Sequence, residues 1–128
     1  MKTVDLNPLS SLLEQQNDIS AALVFGSAQD GTIRPGSDID IAILFKSKPN
    51  PDRLYTLMAD ITTVLGFDKV DLVTLNDSNC ILAFEALNGK RLCVNDPSHL
   101  AEYSSLVARE YEDTMAQIAY QQQLRRTG

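Results

Sequence analysis

Gly26-Ser27-Ala28-Gln29-Asp30-Gly31-Thr32-Ile33-Arg34-Pro35-Gly36-Ser37-Asp38-Ile39-Asp40 is the stretch on which the fold turns. A mostly apolar run, Ile19 to Phe25, delivers the chain to Gly26-Ser27, ten residues intervene, and Asp38-x-Asp40 leads into a second run that ends at Phe45. Both runs are too short and too rich in β-branched residues for helices, which predicts strands over 19–25 and 39–45. Side chains alternate along a strand, so Asp38 and Asp40 share one face while Ile39 and Ile41 share the other. Two carboxylates this close repel unless one is protonated or a cation lies between them. Oxygen-only donors of this kind suit Mg²⁺, which prefers one or two carboxylates together with substrate phosphate oxygens.

A third acid extends the pattern. Asp71 interrupts the apolar run Val70 to Leu75, a third predicted strand, where an unpaired charge is costly to bury. If that strand neighbours the second, Asp71 joins the pair and a two-metal site for phosphoryl or nucleotidyl transfer results. Gly26 lets the backbone approach a phosphate closely, and the Ser27 hydroxyl and amide can donate to its oxygens. Each feature alone has a plainer reading: a solvated turn edge for Asp-x-Asp, a loop for Gly-Ser, and a pairing of Asp71 with Lys69 or Lys90. Their joint placement on predicted strands favours the site.

Outward from this stretch, Asn7-Pro8, Asn50-Pro51 and Asp96-Pro97 each set an N-capping residue before a Pro at the first helical position. The first helix is expected to run from there to about Gln16, with Leu6, Leu9, Leu12 and Leu13 on one face. The second carries Leu54, Leu57, Met58, Ile61, Val64 and Leu65 and stops at Gly66. A further helix is expected from about Ser78 to Leu87 and a short strand over Arg91 to Val94. The last helix, Pro97 to about Gln123, has Leu100, Tyr103, Val107, Tyr111, Met115 and Ile118 at helical spacing. It is longer than a small sheet needs, so two readings stand: a helix folded back on the core, or one whose far end projects into a partner. The expected fold is mixed α/β (α+β), a small sheet flanked by helices, in a single domain over residues 1–128 whose residues 97–128 form the C-terminal helix.

Composition bounds the function. The chain has 128 residues, 44% apolar, with 11 Lys and Arg against 17 Asp and Glu for a net charge of −6. An acidic chain without a basic cluster argues against direct nucleic-acid binding. Its apolar runs are far shorter than the ~18 residues of a membrane span, and no leader pattern precedes Asp5, so a cytoplasmic protein is expected. Cys80 and Cys93 sit in apolar contexts with no metal-ligand spacing and read as reduced packing residues. His99, in the first turn of the last helix, reads as a surface or capping residue, and Glu85 as a solvated or structural acid rather than a fourth ligand.

The motif resembles the signature of the DNA polymerase β-type nucleotidyltransferase superfamily: Gly26-Ser27, ten residues, then Asp38-x-Asp40, with Val70-Asp71-Leu72-Val73 similar to the third-carboxylate strand. Phe84-Glu85-Ala86-Leu87 through Arg91-Leu92 resembles the helix and strand that follow, and the short length resembles the minimal nucleotidyltransferases (MNT, MntA-type). Such proteins are typically antitoxins paired with HEPN-domain ribonuclease toxins. The resemblance implies a polymerase-β-like sheet and transfer of AMP from ATP, with two Mg²⁺ ions, to a tyrosine of the toxin, in a hetero-oligomer with it. By the same resemblance Asp38, Asp40 and Asp71 are the catalytic and metal-holding residues, and Gly26 and Ser27 hold the triphosphate. Many relatives carry Arg directly after Gly-Ser and again two residues later, where this chain has Ala28 and Asp30. Arg34, in the same loop, is the candidate replacement.

Two other functions stand beside this one. One is an antitoxin acting by binding alone, through the long last helix with Tyr103 and Tyr111 as anchors. The other is nucleotidyl transfer to a small molecule such as an aminoglycoside, disfavoured because no length remains for the helical domain that forms an acceptor pocket.

Overall fold

The computed structural model describes residues 2–127. In chain order its elements are β1 (Lys2–Thr3), α1 (Asn7–Glu14), β2 (Ile19–Phe25), β3 (Thr32–Ile33), β4 (Ile39–Phe45), α2 (Pro51–Leu65), β5 (Val70–Thr74), α3 (Cys80–Leu87), β6 (Lys90–Val94) and α4 (Pro97–Thr127). Four strands form one sheet in the order β5-β4-β2-β6. The β4–β5 pair is parallel and the other two pairs are antiparallel. Parallel pairing needs a crossover, which α2 supplies. This is the mixed α/β architecture expected, with helices on both faces of the sheet.

Because both faces are covered, all seven residues of β2 are buried. On one face Ala22, Val24, Ile39, Ile41, Ile43 and Phe45 meet Leu9 and Leu13 of α1 and Leu57 and Ile61 of α2. On the other, Ala21, Leu23, Phe25, Ala42 and Leu44 meet Ala83 and Ala86 of α3 and Leu100 and Val107 of α4. Removing a fully buried side chain from such a layer, as in Ile41→Ala, costs about 2–5 kcal/mol.

Local chemistry sets the helix bounds. Asn50 accepts from the Arg53 N–H before Pro51, and Gly66, at φ +63°, ends α2 in the left-handed region. Asn79, one residue after the expected Ser78, caps α3 by accepting from Leu82 N–H. Asp96 accepts from His99 N–H in the first turn of α4. The Asn7 cap does not form: Asn7 lies inside α1, and its N–H donates to the Asp5 carboxylate at 3.0 Å. A carboxylate is the better partner for the positive end of a helix, so Asp5 takes the role two residues earlier. The helix also stops short of Gln16, because the Gln15 and Gln16 amides tighten to bond Leu12 and Leu13, three residues back. At the other bounds, Leu75 falls in a 3-10 turn after β5, and β6 begins one residue early at Lys90.

Both readings of α4 describe part of it. Leu100 and Val107 are buried, the Tyr103 hydroxyl donates to the Leu75 carbonyl at 2.7 Å, and the Tyr111 ring stacks on Phe84 at 3.9 Å. From residue 116 to 126 every side chain is exposed, including Ile118, Tyr120 and Leu124. The helix spans 31 residues, about 46 Å, and its far turns leave the body of the domain. Among the described residues no helix is long and apolar enough to cross a membrane. Both cysteines are free thiols, Cys93 buried and Cys80 half-buried.

Candidate active site

The site lies where β2 ends and where β4 and β5 begin. In the parallel pair Asp40 stands opposite Asp71, so the neighbour relation on which the third carboxylate depended is present. Alternation then puts Asp38, Asp40 and Asp71 on the α3–α4 side, since Ile39, Ile41, Val70 and Leu72 all pack into the opposite core. Across the antiparallel pair Asp40 is in register with Phe25, the residue before Gly26. A single 3-10 turn, Gly26–Ala28, follows.

Gly26 is required twice over at this turn. Its φ is +74°, and a Cβ there would stand 2.5 Å from the Asp40 Oδ2. Only a hydrogen lets the Asp40 carboxylate lie against the backbone of the turn. Gly26 and Ser27 are both exposed, while Ala28 is buried and anchors the turn to the core. The Gln29 side-chain amide donates to the Gly26 carbonyl at 3.1 Å, and the Gly31 N–H to the Ala28 carbonyl at 3.0 Å, which together fix its shape. Asp30 is occupied locally, accepting from the Thr32 N–H at 2.9 Å.

Electrostatically the cluster is unrelieved. Burial pushes the Asp40 carboxyl above its ordinary value, and the charges of Asp71, Asp38 and Glu85 push it further the same way. Among the described residues no ion pair joins these acids to a cation, so the pairing of Asp71 with Lys69 or Lys90 does not occur. Glu85, read from sequence as a solvated or structural acid, is exposed on α3 yet close enough for its charge to act on Asp40. The signal for it was its place beside Ala83 and Ala86, the buried face that lays α3 on the sheet.

These donors fit Mg²⁺ in kind: all are carboxylate oxygens, and their mutual repulsion is what a divalent cation offsets. Among the described residues no three of them are arranged to hold a single ion. Arg34 lines a cavity with Lys2, Ser37, Phe67 and Lys69. His99 holds the Oγ of fully buried Ser20 at 2.6 Å, a structural contact at the far end of β2 that spacing along the sequence could not reveal.

Residues 7–98 match the family model described as polymerase beta, nucleotidyltransferase. No curated protein matches the chain by sequence. Among solved structures, the chain is similar at 22% identity and a TM-score of 0.74 to a toxin–antitoxin with AMP-PNP, covering 94% of this chain and 98% of that one. A mutant MntA–HpeT toxin–antitoxin matches at 22% identity and a TM-score of 0.76, with the same 94% and 98% coverage. The tri-AMPylated Shewanella oneidensis HEPN toxin in complex with MNT antitoxin matches at 20% identity and a TM-score of 0.66, over 94% and 97% of the two chains. At these identities the likeness is one of fold.

Proposed function

The chain belongs to the polymerase beta nucleotidyltransferase family, and on that premise we propose that it is an MNT antitoxin. It transfers AMP from ATP to a tyrosine of a HEPN-domain ribonuclease toxin and so neutralises it. The observation that carries this reading is the register of the parallel strands, with Asp71 opposite Asp40 and beside the Gly26 turn. The solved structures similar to it include a toxin–antitoxin with AMP-PNP and a complex with a tri-AMPylated HEPN toxin, which supports nucleotide and partner alike.

Asp38, Asp40 and Asp71 are the residues to hold magnesium, which when bound offsets the charge of the phosphates and lowers the pKa of the attacking hydroxyl. The exposed Ser27 hydroxyl and amide donate to β- or γ-phosphate oxygens, and Gly26 keeps the turn low enough for the phosphates to approach. Asp71, on the outer strand, accepts the proton of the tyrosine hydroxyl. The bond formed joins the tyrosine oxygen to the α-phosphorus, the bond broken is that to the bridging oxygen, and pyrophosphate leaves. Lone His99 is tied to Ser20 and takes no part.

The test is incubation with α-labelled ATP, Mg²⁺ and a HEPN-type protein encoded beside it, with Asp38→Ala/Asp40→Ala as control. Label on the partner that disappears in the double variant supports nucleotidyl transfer. A tight complex without label supports neutralisation by binding alone, a reading favoured by the exposed far turns of α4. Truncation after Met115 removes the exposed turns over residues 116–126 together with the last two residues, and loss of partner binding with folding retained would assign recognition to that segment.

A further inference from the structure

Three cations in this acidic chain converge on one cavity of about 390 Å³, lined by Lys2, Ile33, Arg34, Ser37, Phe67 and Lys69. Two of its lining residues sit on the α1–α2 side of the sheet, opposite the carboxylates: Ile33 belongs to that core and Phe67 packs against it, while Ser37 directly precedes Asp38 in the chain. Each cation comes from a separately anchored segment. Pairing of β1 with β3 sets Lys2 opposite Ile33 and so next to Arg34, and Lys2 Nζ sits 5.0 Å from the centre of the Phe67 ring. Arg34 and Ser37 close a turn through Pro35-Gly36, with the Ser37 N–H donating to the Arg34 carbonyl at 3.0 Å and Gly36 at φ +77°. The main chain at Lys69 is pinned where its carbonyl accepts from the Ile39 N–H at 2.9 Å.

No acid lines this cavity, although Asp68 lines the neighbouring one that Lys2 also borders. Among the described residues neither Arg34 nor Lys69 makes an ion pair. All three cations are exposed, and a multiply charged anion can accept charge-assisted hydrogen bonds from all of them. We propose that the cavity of Lys2, Arg34, Ser37 and Lys69 binds a phosphate-bearing group, separately from the carboxylate site. The cavity has the size of a small-molecule pocket rather than of one ion. The phosphate comes either from a free nucleotide or from a phosphate ester on the acceptor protein. The β1–β3 ribbon then has a purpose, since it is what brings Lys2 to the site.

The proposal does not rest on nucleotidyl transfer, and its test is run in EDTA so that no metal-bridged nucleotide contributes. Inorganic pyrophosphate is titrated into the full chain while backbone amide NMR shifts are followed. Saturable movement is expected at residues 33, 34, 36, 37 and 67–69. Arg34→Ala/Lys69→Ala, two exposed positions, is expected to weaken binding by about tenfold or more, whereas Asp38→Asn/Asp40→Asn leaves it intact. Displacement of pyrophosphate by ATP assigns the phosphate to a free nucleotide, and displacement by phosphotyrosine assigns it to the acceptor. Shifts absent from these amides, binding unchanged in the cation variant, binding lost in the carboxylate variant, or displacement by neither competitor overturns the proposal. A failure here with label transfer still observed separates this site from the proposed activity.

Discussion

The two ends of the sheet treat charge in opposite ways. At the end where β2 begins, polar groups find partners: Arg53 donates to both Asp18 oxygens at 2.7 and 2.9 Å and to the Gln16 side chain at 2.9 Å. Asn76 both accepts from the Phe45 N–H and donates to the Phe45 carbonyl at 2.9 Å, and Asn95 donates to the Leu13 and Ile19 carbonyls at 3.1 Å. At the end where β2 finishes, the charges of Asp71, Asp38 and Glu85 act on Asp40, and no ion pair to a cation relieves them among the described residues. The sheet thus has a depressed carboxylate, Asp18 in the turn before β2, at one end and a raised one, Asp40 in β4, at the other. Unrelieved charge on an otherwise well-satisfied scaffold marks the end that is kept for chemistry rather than stability.

The largest effect that would break this contrast is on catalysis. Asp38→Asn/Asp40→Asn is expected to lower label transfer by about 10³-fold or more with an unchanged far-ultraviolet circular dichroism spectrum. Substantial residual transfer would show that the charged end is not where the chemistry occurs. Asp71→Asn is next, with an expected fall in kcat of about 10²–10⁴-fold and little change in KM for ATP, measured by initial rates. A dominant effect on KM would move Asp71 from the acceptor to nucleotide binding.

Stability sharpens the contrast through opposite signs. Gly26→Ala, which meets both the positive φ and the Asp40 oxygen, is expected to cost about 1–3 kcal/mol in urea unfolding. Asp18→Asn costs about 1 kcal/mol at pH 7, a figure held down by the half-exposed carboxylate. The hydrogen bond from Arg53 holds the Asp18 carboxyl below its ordinary value, so the stabilisation is present above about pH 4 and is lost as pH falls through the folded-state value. The difference between wild type and Asp18→Asn should therefore be flat from neutral to mildly acidic pH and shrink under stronger acid. Asp40→Asn in metal-free buffer at pH 7 is expected to stabilise, on the order of 0.5 kcal/mol, because it removes a charge that burial and three neighbouring acids disfavour. Equal destabilisation by both substitutions would erase the distinction between the ends.

The central strands were legible because their apolar, β-branched runs record burial on both faces: Ile19–Phe25 and Ile39–Phe45 have the expected bounds. Alternation carried Asp38 and Asp40 to one side, but the place of Asp71 depended on strand order, which no local pattern encodes. Glu85 was hidden for the same reason, since its helix is laid against the site by Ala83 and Ala86, residues that could face any apolar surface. The β1–β3 ribbon has two residues per strand, too few to show a period, and joins segments about thirty residues apart. The Asn7 cap failed because a nearby carboxylate competed for the same amide.

The cover over the carboxylate side of the sheet is also a matter of timing. Strands β2, β4, β5 and β6 and the helices α1 and α2 of the opposite core all precede Pro97 in the chain. Leu100, Tyr103 and Val107, which close the layer over Leu23, Phe25 and Leu44, lie beyond it. At translation rates of about 5–20 residues per second, the 31-residue helix takes about 2–6 s to synthesise. During that interval a nascent chain has one finished face and one covered only by α3. The carboxylate side is the part of the molecule that matures late on the ribosome.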